Sequence, residues 1–153
     1  MPLEVGSIAP DFTLRSSDGS DVTLASFRER SNVVLIFYPK DQTPGCTKQL
    51  CTARDDRDAF AAADAAVFGV NGDDEASHQR FIAKYGLSMP LLIDRGLGVA
   101  KSYDAVLGFG PVRFVNRTVV AIDRDGRIAF YERGMPATPK IVAALAPPLS
   151  SRA

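Results

Sequence analysis

The stretch "FYPKDQTPGCTKQLC", Phe37 to Cys51, decides how this chain is read, because it runs from an apolar β-rich segment into a Thr-Pro-Gly corner and holds both cysteines. Its upstream part, "VVLIFY" (33 to 38), is a continuous apolar run of the kind buried on both faces of a sheet, so it predicts a central strand that Pro39 ends. Beyond the corner, Leu50, Ala53 and Phe60 recur at helical spacing, which predicts one helix from about Pro44 to Ala63. The charge cluster from Arg54 to Asp58 then reads as a solvated face of that helix. Both thiols fall near its beginning.

Working outward, the alternation continues. "AAVFGV" (65 to 70) predicts a strand, "DDEASHQRFIAKYG" a helix with Phe81, Ile82 and Tyr85 inward, and "PLLID" (90 to 94) another strand. A short helix near Leu97 to Tyr103 leads into an irregular stretch, "DAVLGFGPVRFVN", followed by "RTVVAID" and "RIAFYER" joined by "RDG" as a hairpin. "TPKIVAAL" closes with a helix that has Pro139 in its first turn. Upstream of the decisive stretch, "FTLR" and "DVTLASF" flank "SSDGS", where Asp18-Gly19 signals an opening β-hairpin. This order predicts an α/β thioredoxin-like sandwich, a central mixed sheet flanked by helices behind an N-terminal hairpin. Its 153 residues suit a single domain, 1 to 153, with a flexible tail from about residue 147.

Lys+Arg and Asp+Glu both number 18, so the balance is not that of a protein built to bind nucleic acid. No apolar run approaches the roughly 20 residues of a spanning helix, and "MPLEVGSIAPDF" has neither a basic segment nor an apolar h-region. The expectation is a cytoplasmic protein without membrane contact. In a reducing compartment a close cysteine pair signals redox or metal chemistry more than a structural staple. His78 is the only histidine, which leaves too few ligands for a closed zinc site, so no metal is expected. His78 itself reads as a solvated helix-face residue without a role.

The corner is an electrostatic device. Thr43 suits the N-cap and Pro44 the first helical position, so Gly45 and Cys46 would present free backbone N–H groups in the first turn. Those donors and the positive end of the helix dipole favour a thiolate at Cys46. Cys51 adds a constraint: five residues on an ideal helix give ~500° of rotation and ~7.5 Å of rise, hence Cα atoms about 9 Å apart. A disulfide needs roughly 4.4 to 6.8 Å. Either the two cysteines are unrelated, or their bonding is coupled to unwinding of the first turns.

Pro39-x-x-x-Thr43-x-x-Cys46 resembles the active-site motif of the peroxiredoxins, thiol peroxidases built on a thioredoxin-like fold. The second cysteine five residues on is similar to the bacterioferritin comigratory protein or PrxQ subgroup. "VGSIAPDFTL" and "RTVVAIDRDGRI" resemble the family's opening and its arginine-bearing strand, so the likeness spans nearly the whole chain. It implies that Cys46 is the peroxidatic cysteine, that the Thr43 hydroxyl contacts thiolate and peroxide, and that Pro39 shields the sulfur. It further implies peroxide binding by the N–H groups of Gly45 and Cys46, a guanidinium from Arg117, with Arg113 as the alternative, and Cys51 as the resolving cysteine. The implied activity is reduction of hydrogen peroxide and organic hydroperoxides through a sulfenic acid and a Cys46–Cys51 disulfide. Thioredoxin or glutaredoxin would recycle a monomer that needs no cofactor. Two other readings stay open: a disulfide reductase on the same fold, whose CxxC is absent, and a redox-sensing binding module.

Overall fold

The computed structural model describes residues 3–145; the tail expected from about residue 147 lies outside them. As Asp18-Gly19 predicts, β1 (Thr13–Ser16) and β2 (Asp21–Thr23) form an antiparallel hairpin. The second expected segment is cut short, because Leu24–Phe27 curls into a 3-10 turn. There the Asp11 carboxylate accepts the Ala25 N–H and draws the chain away from the ladder.

The apolar run forms β3 (Asn32–Phe37), buried at every residue. After the corner, one expected helix becomes two, α1 (Pro44–Asp55) and α2 (Arg57–Ala62). The break is at Asp56 (φ −93°, ψ 15°), whose carboxylate accepts the Thr138 hydroxyl at 2.6 Å. The bend tips α2 so that Phe60 is buried. The charge cluster is correspondingly less solvated than expected, since half-buried Arg54 donates to the carbonyl of Tyr85. Then follow β4 (Ala65–Asn71), α3 (Glu75–Tyr85), β5 (Leu91–Ile93) and α4 (Gly98–Ser102).

The stretch expected to be irregular is a two-stranded ribbon, β6 (Val106–Phe109) and β7 (Val112–Val115). Its strands are four residues each and interrupted by glycine, which hides the alternation. Gly108, at φ 142°, is required there, since a Cβ would fall 1.9 Å from the carbonyl oxygen of Val112. The closing pair β8 (Thr118–Ile122) and β9 (Ile128–Arg133) is antiparallel, and α5 (Thr138–Ala143) starts with proline in its first turn.

Seven strands make one mixed sheet in the order β2-β1-β5-β4-β3-β8-β9. β3 and β4 run parallel, and β3 and β8 antiparallel. Alternation along β3 divides the core. Val33, Leu35 and Phe37 join Phe68, Val70, Val120 and Ile122 on one face. Val34, Ile36 and Tyr38 join Cys46, Leu50, Phe81 and Leu91 on the other. The decisive corner therefore lies at the end of the central strand, with α1 laid across the second face.

That face is filled closely around Gly69. A Cβ there would lie 2.6 Å from Leu91 Cδ2, 3.0 Å from Tyr38 Cε1 and 3.1 Å from Leu50 Cδ1. Gly69→Ala should cost about 1–3 kcal/mol as an overpacked core. Urea unfolding should give a lower midpoint at unchanged slope; an unchanged midpoint would mean that the three side chains yield freely.

Candidate active site

Thr43 occupies the N-cap position in extended conformation (φ −75°, ψ 151°), but its side chain does not cap α1. The hydroxyl instead turns to donate to the Lys40 carbonyl at 3.0 Å, and its oxygen takes no N–H of the first turn. Pro44 brings no N–H, and the Thr47 N–H already bonds to the Thr43 carbonyl at 2.8 Å. The donors without an intrahelical acceptor in this first turn are thus those of Gly45 and Cys46. The Cys46 side chain is fully buried among Tyr38, Leu50 and their neighbours.

β-Sheet register brings the cation. Phe37 pairs with Thr118 across β3 and β8, so Arg117 leaves the sheet beside the corner that follows β3. Its Nη2 donates to Cys46 Sγ at 3.3 Å, and its Nη1 donates to Gln49 Oε1 at 2.7 Å. Gln49 Nε2 in turn donates to the Gly134 carbonyl at 3.4 Å, and the Gly134 N–H to the Arg117 carbonyl at 2.9 Å. Gly45 leaves room for this guanidinium, since a Cβ at that position would meet Nη2 at 3.2 Å. Of the two arginines, Arg117 meets the sulfur, while Arg113 is exposed on β7. Arg113 lines a surface cavity of about 270 Å³ with Pro39 and Phe114, and Pro39 is itself exposed.

Cys51 is half-buried on the same continuous helix as Cys46, and both thiols are free. The helical spacing derived from the sequence therefore holds. Among the described residues, no group of three or more His, Cys, Asp or Glu side chains could hold a metal ion, and no helix is long and apolar enough to cross a membrane.

Three polar residues of this region escaped the sequence reading. Gln49 follows Cys46 by three positions and so shares its helix face, which was the available signal. His78 corrects an expectation: it is fully buried, with Nδ1 2.6 Å from Asp41 Oδ2 and Nε2 3.0 Å from the Leu92 carbonyl oxygen. Its spacing from Phe81 and Tyr85 puts it on the inward face of α3, and a buried imidazole requires partners that only the tertiary fold supplies. Asp41, buried in the loop before α1, also accepts from the Tyr38 hydroxyl at 2.6 Å, from Ser77 Oγ at 2.8 Å and from Asn71 Nδ2 at 3.1 Å. Burial alone would raise the pKa of Asp41, but hydrogen bonds from His78, Tyr38 and Ser77, with the attraction to His78, bring it below 3.8. Burial, then the Asp41 charge, push Tyr38 well above 10.0.

Residues 5–131 match the AhpC/TSA family. The chain is 44% identical over 126 residues to the chloroplastic peroxiredoxin Q of Oryza sativa subsp. japonica, covering 82% of this chain and 57% of that protein. It is 36% identical over 132 residues to the peroxiredoxin Bcp of Bacillus subtilis (strain 168), covering 84% and 83%. The chain thus spans about half the length of the plant relatives it matches. The crystal structure of peroxidoxin BcpB from Mycobacterium tuberculosis superposes with a TM-score of 0.85 at 28% identity, over 93% of this chain and 96% of that one.

The lowered Asp41 value makes an acid-side prediction. A carboxyl held below its ordinary value stabilises the fold fully above that value, and the contribution is lost as the pH falls through the folded value. As the pH falls below about 4, melting temperatures should therefore fall less steeply for Asp41→Asn than for the natural chain. Parallel acid limbs in circular dichroism melts would remove Asp41 from the acid transition.

Proposed function

The chain belongs to the AhpC/TSA family, with peroxiredoxin Q and Bcp as relatives, and from that premise we propose that it is a thiol peroxidase acting through Cys46. The observation that carries this reading is the Arg117 guanidinium 3.3 Å from a sulfur seated in the first turn of α1. A permanent cation and two free N–H groups converge where negative charge must be held on a thiolate and then on a departing oxygen.

In the proposed reaction the Cys46 thiolate attacks one peroxide oxygen. An S–O bond forms, the O–O bond breaks, and the other oxygen leaves as hydroxide or alkoxide and takes up a proton. Thr43 has its hydrogen committed to Lys40, so its oxygen is free to accept the O–H of the incoming hydroperoxide. Gln49 holds the far side of the guanidinium and fixes its plane. Hydrogen peroxide and organic hydroperoxides both meet these requirements.

The sulfenic acid at Cys46 is then attacked by the Cys51 thiol, forming an S–S bond and releasing water. The ideal-helix separation exceeds the usual disulfide range by about 2 Å. Absorbing that in bond angles costs about 4 kcal/mol for 15° at a single angle, whereas each helical hydrogen bond given up costs about 0.5–1.5 kcal/mol. Unwinding the start of α1 is the lower route, and it also frees the buried Cys46 sulfur for a dithiol protein such as thioredoxin or glutaredoxin. The sparing use of cysteine fits action in a thiol-reducing compartment such as the cytoplasm, and the proposed chemistry draws every protein group from one chain, as a monomer can supply.

NADPH consumption coupled to thioredoxin or glutaredoxin, with several peroxides, tests the reading directly. Cys46→Ser should abolish turnover, and Cys51→Ser should react once and then accumulate sulfinic acid. Insulin reduction without peroxide turnover would instead favour the disulfide reductase. Arg117→Ala should slow the first step about 100-fold, the scale of losing one charge-stabilising donor; unchanged stopped-flow rates would exclude Arg117 from the chemistry. Oxidation should speed amide hydrogen exchange over residues 43–54, and equal protection in both states, with the disulfide confirmed by mass, would contradict the unwinding step.

A further inference from the structure

The proposed chemistry makes no use of His78, yet its side chain is fully enclosed near the site. Its ring nitrogens face two acceptors, the Asp41 carboxylate and the Leu92 carbonyl, so the ring ties the loop before α1 to β5. Asp41 is held from several directions at once: by Tyr38 at the end of β3, by Asn71 at the end of β4, and by Ser77 and His78 on α3. Its backbone N–H also donates to Asp73 Oδ2 at 2.7 Å.

The very next residue is different. Gln42 is exposed and takes a left-handed backbone conformation, φ 64°, which a residue with a Cβ adopts at a cost. Pro44 and Lys48 are exposed as well. The boundary between chain that is held and chain that is strained thus falls between Asp41 and Gln42, two residues before α1 begins. Tyr38 carries the hold toward the sulfur, because it bonds Asp41 and packs in the same cluster as Cys46 and Leu50.

We propose that the buried His78–Asp41 pair is a positioning device that fixes the N-terminal limit of the segment that unwinds. It thereby sets the balance between the folded form, in which Cys46 meets peroxide, and the unwound form, in which Cys46 meets Cys51. The proposal rests on the reading of Cys46 as the peroxidatic cysteine. His78 touches no reacting atom; it acts through Asp41. With the pin in place, release of the Gln42 strain has to wait for the first turn of α1 to open. Without it, the loop before α1 shares in the opening, so the unwound form gains population at the expense of the folded one.

Two near-isosteric variants separate the pin from mere burial. The amide nitrogen of His78→Asn falls near the position of Nδ1 and keeps a donor for Asp41. That of His78→Gln reaches the Nε2 position, keeping the bond to Leu92 and withdrawing the donor from Asp41. In stopped-flow experiments with hydrogen peroxide, His78→Asn should keep both steps close to those of the natural chain. His78→Gln should oxidise Cys46 about fivefold more slowly, close the disulfide faster, and form less sulfinic acid at equal peroxide excess, as a shifted two-state balance requires. Equal rate pairs in the two variants, or both steps slowed together in His78→Gln, would overturn the proposal. Should neither variant fold, Tyr38→Phe removes only the hydroxyl on the other Asp41 oxygen and must shift the two steps in the same opposite directions. Hydrogen exchange over residues 42–47 of the reduced variants requires no turnover and should be faster for His78→Gln than for His78→Asn. If Cys46 of the natural chain does not react with peroxide, the peroxidase reading falls, while this exchange difference still decides the pin.

Discussion

The contact between Arg117 and the buried Cys46 sulfur sets terms that much of the surrounding structure meets. A guanidinium drawn partly out of water needs partners for its donors, and Gln49 and Cys46 take one nitrogen each. Gln49 is itself steadied by the Gly134 carbonyl, and Gly134 is steadied by Arg117, which closes a small ring of bonds between α1 and the end of β9. Residue 45 is small for the same reason, because a side chain there would press on the cation. Register between β3 and β8 is the long-range term: sliding β8 by one residue would turn Arg117 to the other face of the sheet.

The helix that creates the donor set also separates the thiols. In the proposed cycle an intact α1 serves the attack on peroxide while its geometry forbids the disulfide, so the cycle depends on a segment whose local stability is modest. The structure distributes its holding forces accordingly. β3 and its neighbours are buried throughout, whereas the first turn of α1 exposes Pro44 and leaves Thr43 and Gly45 half-covered. Exposed ion pairs such as Arg15–Glu75 add about 1 kcal/mol or less and do not bear on this balance. The buried polar cluster around Asp41 does, since it lies directly upstream of the segment that unwinds in the proposed cycle.

Much of the fold was legible because its signals are local. The continuous apolar run of β3, the Asp18-Gly19 turn and the RDG turn each state a conformation within a few residues. The departures have separate causes. One helix was read over Pro44 to Ala63 because periodicity survives a bend, while the break at Asp56 depends on Thr138, 82 positions away. The β6–β7 ribbon was read as irregular because strands of four residues, one of them holding Gly108, carry too little alternation to detect. The expected Thr43 cap does not form, since its hydroxyl turns toward the carbonyl of Lys40, an orientation that propensity does not rank.

By itself the sequence determined the strand-to-helix corner, the seat of Cys46 in a first turn, and the impossibility of a disulfide to Cys51 within an unbroken helix. These follow from backbone geometry over neighbouring residues. It also put forward Arg117, which directly precedes a strand, with Arg113 four positions earlier as the alternative. Only the tertiary structure brings Arg117 to the Cys46 sulfur, by strand register, and only it makes His78 a buried partner of Asp41. In both cases the deciding quantity is a contact between segments distant in the chain. Such contacts are set by how the sheet and helices pack, and no local pattern of residues contains them.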